Sequence, residues 1–130
     1  MKAFILTIVL FIIGTSHSQT VVGGGIYANT TWTAANSPYL LTQSLVIFPG
    51  KTLTIEPGTI IKGDKATKGT LIVTRGAKIN ATGTVDKPIV FTSNIAAGGR
   101  AQGDWGGLII LGRAKNNVGT AAAIEGIPDG

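Results

Sequence analysis

The chain has 130 residues, a formal net charge of +5, 19 glycines and no cysteine. This length allows one small domain, and the missing cysteine excludes disulfides, thiolate metal sites and a lipid-modified N-terminal cysteine. The Lys and Arg residues stand singly, without a basic run or basic helix, so no nucleic-acid partner is predicted. Abundant glycine with sparse charge indicates a folded, turn-rich chain, as is typical of all-β proteins.

Residues 1–18 read as a cleavable signal peptide. Lys2 precedes an apolar run, Ala3–Gly14, which is too short for a bilayer that needs about 20 residues. Ser16 and Ser18 have the size and spacing that a signal peptidase reads, so cleavage is expected after Ser18. The protein is then secreted or displayed on the outer cell surface, with no membrane span after cleavage. The alternative is an uncleaved single-span anchor.

The only histidine, His17, would leave with the signal peptide. The mature chain would then lack the commonest general base and metal ligand.

Residues 19–37 are predicted to be a flexible lead-in and N-terminal cap. The run Gly23–Gly25 is one that no regular element is expected to tolerate in its interior. A short strand is expected around Thr31–Thr33. Trp32 and Tyr39 are expected to cover the first coil of the domain that follows.

Two offsets repeat one pattern from residue 38 onward. The residues from Lys51 match those from Gly69 at an offset of eighteen, which aligns Leu53 with Leu71. A shorter match, which begins at Ser44, repeats at an offset of eight. Alternating apolar residues place one face of each short strand in a core, so Leu71 is expected to stack directly on Leu53.

Glycines mark the corners between these strands. Gly50, Gly58 and Gly76 recur at the same place in the pattern, and Pro49 and Pro57 precede the first two. Pro-Gly pairs of this kind fit tight turns with glycine in the left-handed conformation. Residues 38–130 are therefore predicted to be coils of an all-β, right-handed parallel β-helix. A β-sandwich or jelly roll is the alternative built from the same strands.

Residues 94–104 are glycine-rich and are predicted to be a loop that projects from the stack, where solenoids usually carry binding residues. The most distinctive local feature is Gly103–Gly107. Trp105 could offer its indole face to a sugar ring, with Asp104 and Arg100 beside it. The other reading is structural: Trp105 packs over a coil end and Asp104 caps a turn. The acidic residues form no close pair, so no catalytic residue, metal site or cofactor is predicted.

Five segments, in order, carry a family resemblance: EPGTIIKG, TLIVTRGAKINATGT, KPIVFTS, GDWGGLIILGRA and IEGIP. They resemble the opening of large secreted or surface-attached β-helix proteins common in Bacteroidetes, over roughly Tyr39 to Pro128. The resemblance implies a right-handed parallel β-helix outside the cell, in proteins that usually have no assigned activity. Many of them end in a β-sandwich domain read by the type IX secretion machinery. Because this sequence has no such domain before Gly130, we expect an N-terminal part of a longer protein.

These observations predict a non-enzymatic, secreted or surface-exposed β-helical module with a structural, adhesive or carbohydrate-binding role. The expected partners are surface glycans or other cell-surface proteins. The alternative is the N-terminal part of a carbohydrate-active lyase or hydrolase whose catalytic coils lie beyond residue 130.

Overall fold

The computed structural model describes residues 18–114, in which nine β-strands and one short 3₁₀ helix follow one another. The predicted signal peptide, Ser18 excepted, and residues 115–130 of the predicted coils lie outside this range. The strands are β1 (Thr20–Ile26), β2 (Thr30–Trp32), β3 (Tyr39–Ile47), β4 (Thr52–Ile55), β5 (Ile60–Gly63), β6 (Thr70–Val73), β7 (Lys78–Ala81), β8 (Val90–Ser93) and β9 (Gly107–Ile110). The 3₁₀ helix covers Ala34–Asn36.

The strands form two sheets in which every pairing is parallel. In sheet A, the long strand β3 pairs with β1 along one edge, and with β5 and then β6 along the other. Strand β8 extends β5, and β9 extends β6. Sheet B has the order β2-β4-β7. The prediction of an all-β chain of stacked parallel strands is confirmed.

The chain winds between the two sheets in coils. Coil 1 contains β1 and β2, coil 2 contains β3 and β4, coil 3 contains β5, β6 and β7, and coil 4 contains β8 and β9. Each coil lies one strand spacing, about 4.8 Å, from the next. Strands this short are stable because the coils on either side supply their hydrogen bonds.

The predicted stacking of Leu71 on Leu53 is wrong. Leu71 pairs with Leu45 in sheet A, and Leu53 pairs with Ile79 in sheet B. Both pairs are 26 positions apart, which is the predicted offset of eight followed by the offset of eighteen. Each offset alone leads from one sheet to the other, and only their sum returns the chain to the same sheet.

The core is a set of aliphatic ladders between the sheets. Leu53 and Ile55 of sheet B face it and are 0% and 2% exposed, while Leu71 and Val73 of sheet A are 0% and 2% exposed. Alternate residues of the same strands point outward, as the period of two requires. The buried side chains are Ile26, Trp32, Tyr39, Leu41, Leu45, Ile47, Leu53, Ile55, Ile61, Leu71 and Val73.

Trp32 and Tyr39 stack inside this core, with ring centroids 4.6 Å apart and planes inclined by 14°. The Tyr39 hydroxyl accepts a hydrogen bond from the Thr33 backbone N–H at 2.9 Å. The pair therefore fills the corner between β2 and β3.

The glycine run does not prevent a strand, contrary to the prediction, because β1 passes through Gly23–Gly25. Outer side chains lie directly on this strand. A Cβ at Gly23 would be 2.4 Å from Gln43 Cγ, and one at Gly25 would be 2.6 Å from Tyr27 Cζ. The glycines thus make room for neighbouring side chains. The short strand predicted around Thr31–Thr33 is present as β2.

The three corner glycines occupy equivalent turns. Gly50, Gly58 and Gly76 have φ angles of 77°, 84° and 83°. In each turn the residue after the glycine donates its N–H to the carbonyl three positions earlier, at 3.0 to 3.3 Å. Positive φ at the third turn position fits a type II turn and favours glycine there.

Insertions enter sheet A at one place in successive coils. Residues 64–69 separate β5 from β6, and residues 94–106 separate β8 from β9. We call these two loops the loop ridge. The segment expected to be a loop from the sequence is therefore a loop, and it lies against the loop of the preceding coil.

Candidate functional site

The three residues predicted as ligand contacts, Arg100, Asp104 and Trp105, lie together on the longer loop of the ridge. Their side chains have different surroundings. Asp104 is 1% exposed, Trp105 is half-buried and Arg100 is exposed.

Asp104 closes the loop through three partners. Its Oδ2 accepts hydrogen bonds from the Ser93 hydroxyl at 2.9 Å and from the Ala101 N–H at 3.0 Å. Its Oδ1 lies 3.2 Å from the Lys65 ammonium on the neighbouring loop. Both carboxylate oxygens are thus engaged within the protein.

These partners hold the pKa of Asp104 below its ordinary value. The Ala101 backbone N–H has the largest effect on the pKa, followed by the Ser93 hydroxyl, and together with Lys65 they outweigh the opposing effect of burial. A carboxylate that is ionised and saturated in this way is suited to holding a loop in place, whereas a general base needs a free oxygen.

Trp105 packs against the core. A Cβ on Gly63 would be 2.4 Å from Cε3 of the indole, so the ring covers this glycine closely. The buried face of the indole is not available as a sugar platform. Of the two readings of Trp105, the contacts favour packing over a coil end.

Further contacts attach the longer loop to the shorter one. The Lys68 ammonium donates to the Gly103 carbonyl, and the Gly106 N–H donates to the Gly69 carbonyl at 3.1 Å. Arg100 Nε donates to the Ile95 carbonyl at 2.8 Å within the longer loop. Most polar groups near the predicted site therefore serve the loop itself.

The carboxylates elsewhere in residues 18–114 stand apart from one another. Glu56 Oε2 accepts from the Ala34 N–H at 3.3 Å. Asp64 Oδ2 accepts from the N–H and hydroxyl of Thr67 at 3.0 and 2.8 Å, so it caps a turn. In this part of the chain no three His, Cys, Asp or Glu side chains come together in a metal-binding arrangement.

A second site was missed by the sequence predictions: an aromatic pair on the outer face of sheet A. Tyr27 and Phe48 stack with centroids 4.5 Å apart and planes inclined by 22°. They are 69% and 37% exposed. Both rings lie over Gly25, where a Cβ would be 2.6 Å from Tyr27 Cζ and 2.8 Å from Phe48 Cε2.

The register explains how the pair forms. Ile26 and Ile47 are paired residues that face the core. The residues that follow them, Tyr27 and Phe48, therefore point outward. The alternation around Ile47 could have indicated an outward Phe48. Its pairing with Tyr27 needs the register between β1 and β3.

An apolar ladder runs beside the aromatic pair, with Val46, Ile72 and Ile109 paired across three coils. These residues alternate with core residues and so face outward. Ile72 is nevertheless only 8% exposed, since its ladder neighbours flank it on both sides. The aromatic pair thus borders an apolar strip on the outer surface.

A concavity of about 470 Å³ opens at the edge of coil 1. Its lining includes the core residues Ile26, Trp32 and Leu45, the half-buried Val22, and Tyr27. It exists where the first coil ends the stack of described strands. We attribute it to the coil end and place the candidate site on the outer face.

Two sheets of short parallel strands, stacked coil on coil around aliphatic ladders, define a protein of the parallel β-helix class. No helix within residues 18–114 has the length and apolar character needed to cross a membrane. A family model described as a pectate-lyase-like β-helix domain matches residues 24–127. The chain belongs to this family. No curated protein and no solved structure matches the chain.

Proposed function

We propose that this protein is a non-enzymatic β-helical module that binds a glycan on the outer face of sheet A, outside the cell. The exposed stack of Tyr27 and Phe48 is the observation that carries the proposal. Exposed aromatic rings offer flat apolar faces, to which the C–H faces of sugar rings are complementary. The signal-peptide pattern and the resemblance to surface proteins of Bacteroidetes support an extracellular location, with type IX secretion as one export route.

The contacts of the described residues favour binding over catalysis. Asp104 is committed to the loop ridge, and Glu56 and Asp64 bond to nearby backbone N–H groups. A glycosidase requires two carboxylates flanking the bond that breaks. The acids among residues 18–114 lie in turns and loops other than those that hold the aromatic pair.

Glycan binding by variants of the aromatic pair tests this proposal. Tyr27→Ala should weaken binding to the glycans that the protein selects on an array by roughly three- to tenfold, as expected for the loss of one aromatic stack. Tyr27→Phe keeps the ring and should bind like the parent protein. Val85→Ala is the matched control, because Val85 is 99% exposed and lies on a different corner.

Equal binding by Tyr27→Ala and the parent protein would refute a role of the pair in recognition. Circular dichroism of each variant separates lost binding from lost folding.

The family itself supports the alternative of a carbohydrate-active enzyme with catalytic coils beyond residue 130. Its test is a depolymerisation assay on the product of the gene that includes any downstream coding sequence. Polysaccharide cleavage abolished by carboxylate variants in later coils would establish the enzyme and overturn the non-enzymatic proposal.

A further inference from the structure

The first coil leaves one side of each sheet without a partner strand. Among residues 18–114, β1 pairs with β3 alone, and β2 pairs with β4 alone. The Thr20 N–H donates to the Pro38 carbonyl at 2.9 Å, so Thr20 directs its backbone groups at coil 2. Backbone groups alternate in direction along a strand, so the next residue, Val21, directs its own away from the stack. We call the free sides of β1 and β2 the open edge.

The core is incompletely covered at the open edge. The concavity of about 470 Å³ described above reaches Leu45 of coil 2. Leu45 is paired with Gly24 of β1, which has no side chain to cover it. The half-buried Val22 and the core residue Ile26 line the same concavity. The open edge therefore combines unpaired backbone groups with an apolar recess, and a solenoid end of this kind needs a cover.

The residue before β1 does not supply this cover. Removal of the signal peptide after Ser18, as the sequence predicts, leaves Gln19 in front of β1. The Gln19 side-chain amide donates to Asn94 Oδ1 at 3.0 Å, and Asn94 belongs to the loop ridge of coil 4. Gln19 thus extends along the stack, away from the open edge. Another molecule is needed to cover the first coil.

The open edge is complementary to a second copy of itself. Antiparallel strands can pair through their free backbone groups, and a two-fold axis brings the same edge of two copies together in this orientation. With the axis at Gly23, the centre of β1, Val22 of each copy lies opposite Gly24 of the other. Gly24 is the position that leaves Leu45 without a covering side chain. Each copy therefore supplies the apolar side chain that the other lacks.

We infer that two copies of this chain associate end to end through the open edge, with β1 antiparallel to β1 across a two-fold axis. The seven residues of β1 span about 23 Å, and two sheets with their outer side chains span about 20 Å. The end of the solenoid thus offers roughly 500 Å² per copy, below the value of about 800 Å² for a standard interface. The dimer should therefore dissociate on dilution.

Sedimentation equilibrium of the full chain, exported so that the signal peptide is removed, measures this association. Mass spectrometry establishes the first residue of the purified protein. The mass should rise from that of a monomer to that of a dimer between roughly 1 and 100 μM and should stop there, because a two-fold contact closes on itself. Hydrogen exchange at the Val21 N–H should slow over the same concentrations, since this group would gain a partner.

Two substitutions on β1 localise the contact. Val22→Thr keeps the shape of the side chain but buries a hydroxyl twice in the symmetric dimer, so it should weaken dimerisation roughly tenfold or more. Val21→Pro removes a backbone donor at the open edge, where proline is tolerated, and should also weaken dimerisation. Val46→Thr is the matched control, because Val46 is equally half-buried but lies on the outer face of sheet A. It should dimerise like the parent protein, and circular dichroism of each variant verifies its fold.

Four results would overturn the inference. A monomer at every concentration would do so, including one in which residues 1–17 are retained and cover the first coil themselves. Assemblies that grow beyond two copies would indicate contact between unlike ends. Equal weakening by Val46→Thr and Val22→Thr would place the contact on the outer face of sheet A. Unchanged hydrogen exchange at Val21 in the dimer would exclude pairing through β1.

Discussion

Asp104 illustrates how one side chain can resemble a ligand contact in the sequence and act as a loop clamp in the fold. In the sequence it stands beside Trp105 among glycines, which is a pattern typical of exposed binding loops. In the structure, its carboxylate is 1% exposed and bonds to Ser93 and Ala101. The distinction depends on which partners the loop brings to it, and those partners come from residues up to 39 positions away.

Replacement of this carboxylate should alter the acid stability of the protein. The folded pKa of Asp104 is lower than its ordinary value of 3.8. Its contribution to stability is therefore complete above the ordinary value and is lost as the pH falls through the lowered folded value. Asp104→Asn should melt at a lower temperature than the parent protein at neutral pH, and this gap should close as the solution is acidified.

Thermal melts between about pH 2 and pH 7 measure this gap. Asp86→Asn, on an exposed loop, is the control and should melt like the parent protein throughout. A gap of constant size at every pH would contradict the role assigned to the Asp104 charge.

At the scale of elements, the loop ridge is attached to the coils by shape as well as by charge. The indole of Trp105 occupies the space that a side chain at position 63 would need. Gly63 on β5 and Trp105 on the loop of the next coil thus form the two sides of one contact.

A double-mutant cycle measures this contact. Trp105→Ala should lower the free energy of unfolding by about 2 kcal/mol, roughly half of the usual cost for a fully buried ring. Gly63→Ala should cost about 1–3 kcal/mol because its Cβ overlaps the indole. In the Trp105→Ala background the same glycine substitution should cost much less, so the two effects should not add.

Denaturant unfolding of the four proteins gives the coupling. Gly112→Ala is the matched control, since a Cβ there would meet its nearest atom at 3.9 Å. Additive effects of the two substitutions on the free energy of unfolding would show that the contact between Gly63 and Trp105 does not contribute to stability.

The positions of the strands could be predicted from the sequence better than the pairing between strands. Alternation identified the core residues Leu53, Ile55, Leu71 and Val73, all of which are buried. The repeat did not reveal the coil length, because the two offsets join strands that belong to different sheets. Gly23–Gly25 was misjudged because propensity alone does not account for side chains from the next strand that cover a glycine backbone.

The candidate site on the outer face was less predictable for the same reason. Tyr27 and Phe48 are 21 positions apart, and no local pattern marks them as a pair. Their contact depends on the register between β1 and β3.

At the scale of the whole molecule, the stack is continuous from coil 1 to coil 4. Its two tryptophans lie near opposite ends: Trp32 in β2 of the first coil, and Trp105 beside β9 of the last described coil. Strand β3 pairs with coils 1 and 3 at once. We therefore expect the described coils to unfold as one unit, although solenoids can also lose their ends independently.

Single-tryptophan variants test this cooperativity. Trp32→Phe leaves a fluorescent reporter in the last described coil, and Trp105→Phe leaves one in the first. The denaturation curve followed by fluorescence is compared with the curve followed by circular dichroism for the same variant. Because both curves come from one protein, the effect of the substitution on stability is the same in both. Fluorescence and dichroism should coincide in both proteins. A fluorescence transition that precedes the dichroism transition in either variant would show that this end opens on its own.

The loop ridge enters sheet A at the same point in coils 3 and 4, while the strands on either side remain in register. Residues 64–69 and 94–106 differ in length, yet β5 and β8 pair as closely as β6 and β9. The residues that determine the fold are thereby separate in the chain from the residues of the inserted loops. The core ladders specify the scaffold, and the inserted segments are free to diverge. Such a surface can acquire new binding specificities during evolution through changes in loop length, with no need to redesign the core.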